Sequence, residues 1–131
     1  MNRKPQEQPG LFGDEPAQHI PRQNDRPEAA ALIEVLKALR NHPAVAWCER
    51  HNSGAFRTET GQFVRYGWRG CADVIGQLRD GRFLAVEVKS PTGRLRPEQA
   101  AFLDQVRGAG GVGFVARNCA DVAQELARCT N

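Results

Sequence analysis

Asp73, Glu87 and Lys89 form the pattern D-x(13)-E-x-K, two carboxylates and one ammonium of the types that hold a cation and steer a water. On an extended strand Glu87 and Lys89 stand two residues apart and project from one face. Asp80-Gly81 predicts a two-residue hairpin turn, which lays the strand opened by Asp73 beside the strand that carries Glu87. Two carboxylates brought together repel, and one is driven to keep its proton. A divalent cation resolves this: Mg²⁺ takes one or two carboxylates, several waters and a phosphate oxygen, and Mn²⁺ accepts the same oxygen donors. Lys89 is then placed to orient or help deprotonate the attacking water, or to stabilise charge building on the phosphate. The competing reading is structural, since Glu-x-Lys on a strand is a common solvated pair and Asp a common turn residue.

The elements that must position these residues follow from hydrophobic spacing. Residues 1–26 hold four of the eight prolines among Gln, Asn, Asp and Glu, and are expected to form a disordered tail. From Pro27 a helix is predicted, with Leu32, Val35, Leu36 and Leu39 on one face and Pro43 as its stop. AVAWCERH reads as a strand, Asn52-Ser53-Gly54 as a turn, and the segment near QFVRY as a short strand. DVIGQLR and RFLAVEVK are the two strands of the hairpin. A second helix has Pro97 in its first turn and Ala101, Phe102 and Val106 on its apolar side, GVGFVAR is a last strand, and Asn118 caps a last helix. The order predicts an α/β (α+β) architecture, one mixed sheet flanked by helices, in a single domain over residues 27–131.

Composition narrows the class. The 131 residues carry a net charge of only +3, which excludes a highly charged nucleic-acid tail. Arg50, Arg57, Arg65 and Arg69 nevertheless face one acid, Glu59, in a window that also holds Phe56, Phe63, Tyr66 and Trp68. Such a stretch is either a phosphate-facing surface or a solvated strand pair with ordinary core aromatics. Cys48, Cys71, Cys119 and Cys129, like His19, His42 and His51, are too scattered for a zinc site, and the thiols are expected to be reduced. No apolar run has the length of a signal peptide or a membrane span, so a cytoplasmic protein is expected.

The run GCADVIGQLRDGRFLAVEVKSPTGRLRPEQAAFLDQVRGAGG resembles the VRR-NUC branch of the PD-(D/E)xK nuclease superfamily. The likeness rests on Gly-x-x-Asp, the hairpin, Glu-x-Lys, a Gly-Arg-Leu loop and the helix bearing Gln99, and it extends back through Arg50 to Gly54. It covers residues 28–125 without a large gap. The resemblance implies a restriction-endonuclease-like core and a metal-dependent phosphodiesterase. Asp73 and Glu87 are similar to its metal ligands, the Val88 backbone carbonyl to a further ligand, and Lys89 to its catalytic lysine. Gln99 is similar to the glutamine that follows that lysine on the next helix. Ala72 departs from the proline of the superfamily pattern, a residue that shapes backbone and supplies no ligand. Family members also carry a glutamate on the first helix. Here Glu28 shares the face of Leu32, Val35, Leu36 and Leu39, whereas Glu34 projects away from it, so Glu28 is preferred.

Three functional readings follow. The first is a Mg²⁺- or Mn²⁺-dependent endonuclease for branched DNA, similar to a Holliday-junction resolvase, homodimeric and phage- or prophage-like. Arg50, Arg57, Arg65 and Arg69 are its candidate backbone contacts, and Asn52 and Ser53 belong to a loop that either touches DNA or only turns the chain. The second is a flap or single-strand nuclease with the same active site. The third is a non-catalytic DNA- or clamp-binding module. In the tail, Gln8-Pro9-Gly10-Leu11-Phe12 is similar to the Gln-x-x-Leu-Phe peptide with which bacterial replication and repair proteins dock on the sliding clamp, with Gln8, Leu11 and Phe12 as its anchors.

Overall fold

A computed structural model of the chain describes residues 25–130. The segment 1–24, with Gln8, Leu11 and Phe12, lies outside the described residues. The elements are α1 (Asp25–Asn41), β1 (Val45–Arg50), β2 (Gly54–Arg57), β3 (Phe63–Tyr66), β4 (Val74–Leu78), β5 (Phe83–Val88), α2 (Pro97–Gly108), β6 (Val112–Ala116) and α3 (Cys119–Cys129). α1 starts two residues before Pro27, which therefore sits in its first turn, where a missing N–H costs nothing.

β5 is apolar on both faces because both are covered. Leu84, Val86 and Val88 pack with Ala31, Val35 and Leu39 of α1 and Val122 and Leu126 of α3. Ala85 packs on the other side with Phe102, Leu103 and Val106 of α2. Burying each such Leu or Val stabilises the fold by about 1.5–3 kcal/mol, so β5 is a firm base for whatever it carries. The sheet order is β1-β4-β5-β6. β4 runs antiparallel to β1 and β5, and β5 pairs with β6 in parallel across the α2 crossover.

The sequence-based expectation holds for this mixed sheet between helices and fails at three places. The β4–β5 turn has three residues, not two. Leu78 N–H donates to the Arg82 carbonyl, Gly81 N–H donates to the Leu78 carbonyl, and Gly81 takes φ 96°. This is a type I turn closed by a left-handed glycine, the usual three-residue hairpin loop. Asp80 does not occupy a two-residue turn; its carboxylate accepts the Arg82 N–H at 3.0 Å and so braces the loop.

The chain does not make one sheet. β2 and β3 pair as a separate two-stranded hairpin, and Gly54, read as a turn residue, opens β2 opposite Tyr66. A Cβ on Gly54 would come within 2.5 Å of the Tyr66 hydroxyl, so the ring needs glycine there. On α2, Ala101 is exposed and Leu103 is buried in its place. The buried stripe Phe102, Leu103, Val106 extends back one turn to Gln99, which places that amide on the sheet side.

Candidate active site

The β4–β5 register pairs Val74 with Val86. One step further, where the ladder opens, Asp73 stands opposite Glu87. The Asp73 carboxylate accepts the Val88 N–H at 2.8 Å, and its main-chain carbonyl accepts the His51 N–H at 2.7 Å, which ties it to the end of β1. In an extended strand the N–H and C=O of one residue leave on the same edge. The Val88 carbonyl is therefore aimed at the edge where Asp73 stands, while Lys89 N–H turns the other way, to the Ala116 carbonyl at 3.2 Å.

Glu87 is 2% exposed and Lys89 7%. Glu87 Oε1 accepts from Gln99 Nε2 at 2.8 Å and lies 3.6 Å from Lys89 Nζ. Gln99 Oε1 accepts the Arg96 N–H at 3.0 Å, so both ends of the amide are engaged and its orientation is set. Burial, then the Asp73 charge and a hydrogen bond shared with it, push the Glu87 carboxyl up to about 8, against the opposing pull of Lys89. The two acids thus stand as close as the sequence pattern required, and one prefers its proton when no cation is beside it. Two carboxylates and one carbonyl fit a hard divalent cation that keeps waters and takes phosphate oxygens. Among the described residues no group of three or more His, Cys, Asp and Glu side chains gathers into an all-protein metal site.

Asp73, Glu87, Lys89 and Gln99 line a cleft of about 660 Å³. Glu28 reaches the same cleft from the start of α1. Glu34 does not; it accepts the Cys119 N–H at 3.0 Å and serves the start of α3. Asn52, Ser53, Arg65 and Arg69 stand in the cleft wall, whereas Arg50 and Arg57 lie outside it on exposed strand positions. A second cavity, of about 600 Å³, lies beside Trp68, Phe83 and Val106 and contains one acid, Asp80.

Three nearby residues escaped the sequence reading. His51 lines the cleft, and its buried Nδ1 has no hydrogen-bond partner among the described residues. Its place depends on β1–β4 pairing, for which spacing carries no signal. Arg117 donates to the carbonyls of Ser90 and, at 2.8 Å, Gly93, and so fixes the turn that follows Lys89. Cys71 also lines the cleft; burial first, and then the Glu87 charge, push its thiol up to about 11, so it stays protonated and is no nucleophile at neutral pH. All four cysteines are free, and Cys48 and Cys71 are buried as small apolar groups.

A four-stranded mixed sheet with helices on both faces, and two acids and a lysine at one strand end, define a restriction-endonuclease-like domain. The family model for the VRR-NUC domain matches residues 22–119, and the chain belongs to that family of PD-(D/E)xK-type nucleases. No curated protein and no solved structure matches it. Membership in a nuclease family implies DNA as the substrate class. Among the described residues no helix is long and apolar enough to cross a membrane.

Proposed function

We propose that the protein is a metal-dependent, structure-selective DNA endonuclease, acting on branched DNA in the manner of a Holliday-junction resolvase. The observation that carries this reading is the convergence of Asp73, Glu87 and Lys89 in one cleft whose wall bears Arg65 and Arg69. Asp73, Glu87 and the Val88 carbonyl would hold Mg²⁺ or Mn²⁺, with Glu28 a further oxygen donor at the cleft edge. When bound, such a cation polarises the phosphodiester and lowers the pKa of the attacking water.

The chain's own residues do the rest. Gln99 holds the Glu87 carboxylate in one orientation, so the oxygen donors are set before substrate arrives. Lys89 Nζ is fixed beside Glu87 by the parallel β5–β6 pairing and by the turn that Arg117 braces. A buried ammonium there stabilises charge that develops on the phosphate and positions the attacking water. Arg65 and Arg69 bind backbone phosphates, contacts that place DNA without reading its sequence, with Arg50 and Arg57 extending the track outside the cleft. A resolvase makes paired cuts, so this reading includes a homodimer with two-fold-related sites. It also includes the clamp peptide at Gln8, Leu11 and Phe12 as a targeting element and a cytoplasmic setting in a bacterial or phage-infected cell.

The second reading, a flap or single-strand nuclease with the same residues, is favoured by one observation, the exposed aromatic rings of the β2–β3 hairpin. Cleavage of four-way junction, 5′-flap, splayed-arm and duplex DNA, with Mg²⁺, Mn²⁺ or EDTA and alongside Lys89→Ala, separates the readings. Paired symmetric cuts in the junction, lost in EDTA and in the variant, support the resolvase. Single cuts at a flap or fork with the same dependences support the second. A folded protein that shifts DNA on a gel and cuts nothing overturns both.

A further inference from the structure

The β2–β3 hairpin lies outside the main sheet, and its rings are open to solvent: Phe56 is 52% exposed, Phe63 56% and Tyr66 52%. Pairing of Phe56 with Val64 and of Arg57 with Phe63 sorts the side chains onto two faces. One face carries Phe56, Val64 and Tyr66, with the two ring centroids 6.2 Å apart and tilted by 45°. The other carries Arg57, Phe63 and Arg65, with the Arg65 guanidinium 5.2 Å from the centre of the Phe63 ring. The two strands hold no acid. The hairpin also runs into the cleft, because Ala55, Arg65 and Tyr66 line it together with Asp73 and Glu87.

A ligand for this surface must offer flat apolar faces and negative charge together, within reach of the cleft. Unpaired nucleotides do so, each presenting an open base face and a phosphate, whereas continuous duplex hides the base faces in its stack. Stacking on an aromatic side chain tolerates any base, and removing one such contact costs about 5- to 150-fold in affinity. We propose that the β2–β3 hairpin stacks the bases of unpaired nucleotides beside the strand held in the cleft, and so selects DNA with single-stranded nucleotides at a branch or end. The proposal rests on the nuclease reading for DNA as the ligand and deepens its flap or single-strand form, since a four-way junction is fully base-paired; the hairpin's own surface supplies the preference for unpaired bases.

The test uses the full-length protein in EDTA, where binding is read without cutting. The probes are a splayed-arm DNA with 2-aminopurine at the first unpaired position and a matched continuous duplex. The wild type is expected to bind the splayed arm at least about tenfold more tightly than the duplex, and to change the 2-aminopurine emission as the base stacks. Phe56→Leu plus Tyr66→Leu keeps an apolar face and removes stacking. That preference and the emission change are then expected to disappear, with the melting temperature of the protein unchanged. Equal wild-type affinity for the two DNAs, or a preference that survives in the double variant, overturns the proposal. So does a dimer that dissociates in the variant with loss of the preference, which would make this face an interface between copies. Cutting in Mg²⁺, checked against Lys89→Ala, is scored separately. Cutting without the preference leaves the nuclease reading standing alone, and the preference without cutting leaves the hairpin proposal standing alone.

Discussion

Asp73 stands opposite Glu87, one step beyond the Val74–Val86 pair, with its carboxylate on the Val88 N–H at 2.8 Å. That relationship depends on Gly81. The three-residue loop pairs Leu78 with Arg82 and carries the same register up to the acids. A two-residue Asp80-Gly81 turn would shift every pair by one, set Asp73 opposite Val88 and turn its side chain to the far face of the sheet.

Gly81 has φ 96° and open space where a Cβ would go, so a side chain there meets only backbone strain. Gly81→Val is expected to destabilise the protein by about 1–2 kcal/mol, and Gly81→Asn by less, because Asn tolerates positive φ. Thermal melts of the two variants check this, and equal melting temperatures for both and the wild type would show the loop to be unconstrained.

Lys89 is the buried ammonium beside the acids, at 3.6 Å from Glu87. Lys89→Ala is expected to lower single-turnover cleavage by roughly 10²- to 10³-fold, the usual cost of removing one preorganised charge or donor from a reacting centre. Glu87→Gln, which removes an oxygen ligand and keeps the shape, should cut no faster than Lys89→Ala. Near-wild-type rates in either variant would sink the assignment.

Gln99 is a positioning residue, acting through Glu87. Gln99→Leu is expected to raise the Mg²⁺ concentration for half-maximal cleavage by about 10- to 100-fold, with much of the rate restored at saturating metal. A fall in rate that no metal concentration corrects would assign Gln99 a different role.

The Glu87 carboxyl is held up at about 8, chiefly by burial and then by the Asp73 charge. In the unfolded chain it ionises near 4.5. The unfolded state therefore loses this proton first as pH rises, and metal-free stability falls between those values because the folded state holds the proton longer. Melts in EDTA from pH 5 to pH 9 should show that decline, and Mg²⁺ should stabilise the protein more at pH 9 than at pH 6. Metal stabilisation that is flat or larger at the acid end would contradict the carboxylate pair as the binding site.

A peptide of residues 1–20 is expected to bind a bacterial sliding clamp with micromolar affinity, on the order of an extended segment with few anchors. Leu11→Ala plus Phe12→Ala should abolish it in fluorescence anisotropy. Absence of binding by the native peptide would remove the clamp from the proposal.

Local rules were enough for much of this molecule. The stripe Val35–Leu39 on α1, the Asn118 cap of α3 (its side chain accepting the Asp121 N–H at 2.9 Å) and the apolar run of β5 are all set by near neighbours in the chain. The D-x(13)-E-x-K pattern and its family likeness are legible for the same reason, since Glu87 and Lys89 share a strand face by periodicity alone. Spacing could not decide three things. Which face Asp73 shares depends on one loop residue, because strand side chains alternate and a single-residue slip inverts them. Whether Glu28 or Glu34 meets the cleft depends on how α1 docks over the sheet end, and Glu34 turned out to serve α3. The aromatics of residues 56–66 read equally well as core or surface, since an aromatic on a strand packs wherever a partner layer covers it. Only the tertiary structure, which lays helices over β5 and leaves β2 and β3 bare, settles that they face solvent.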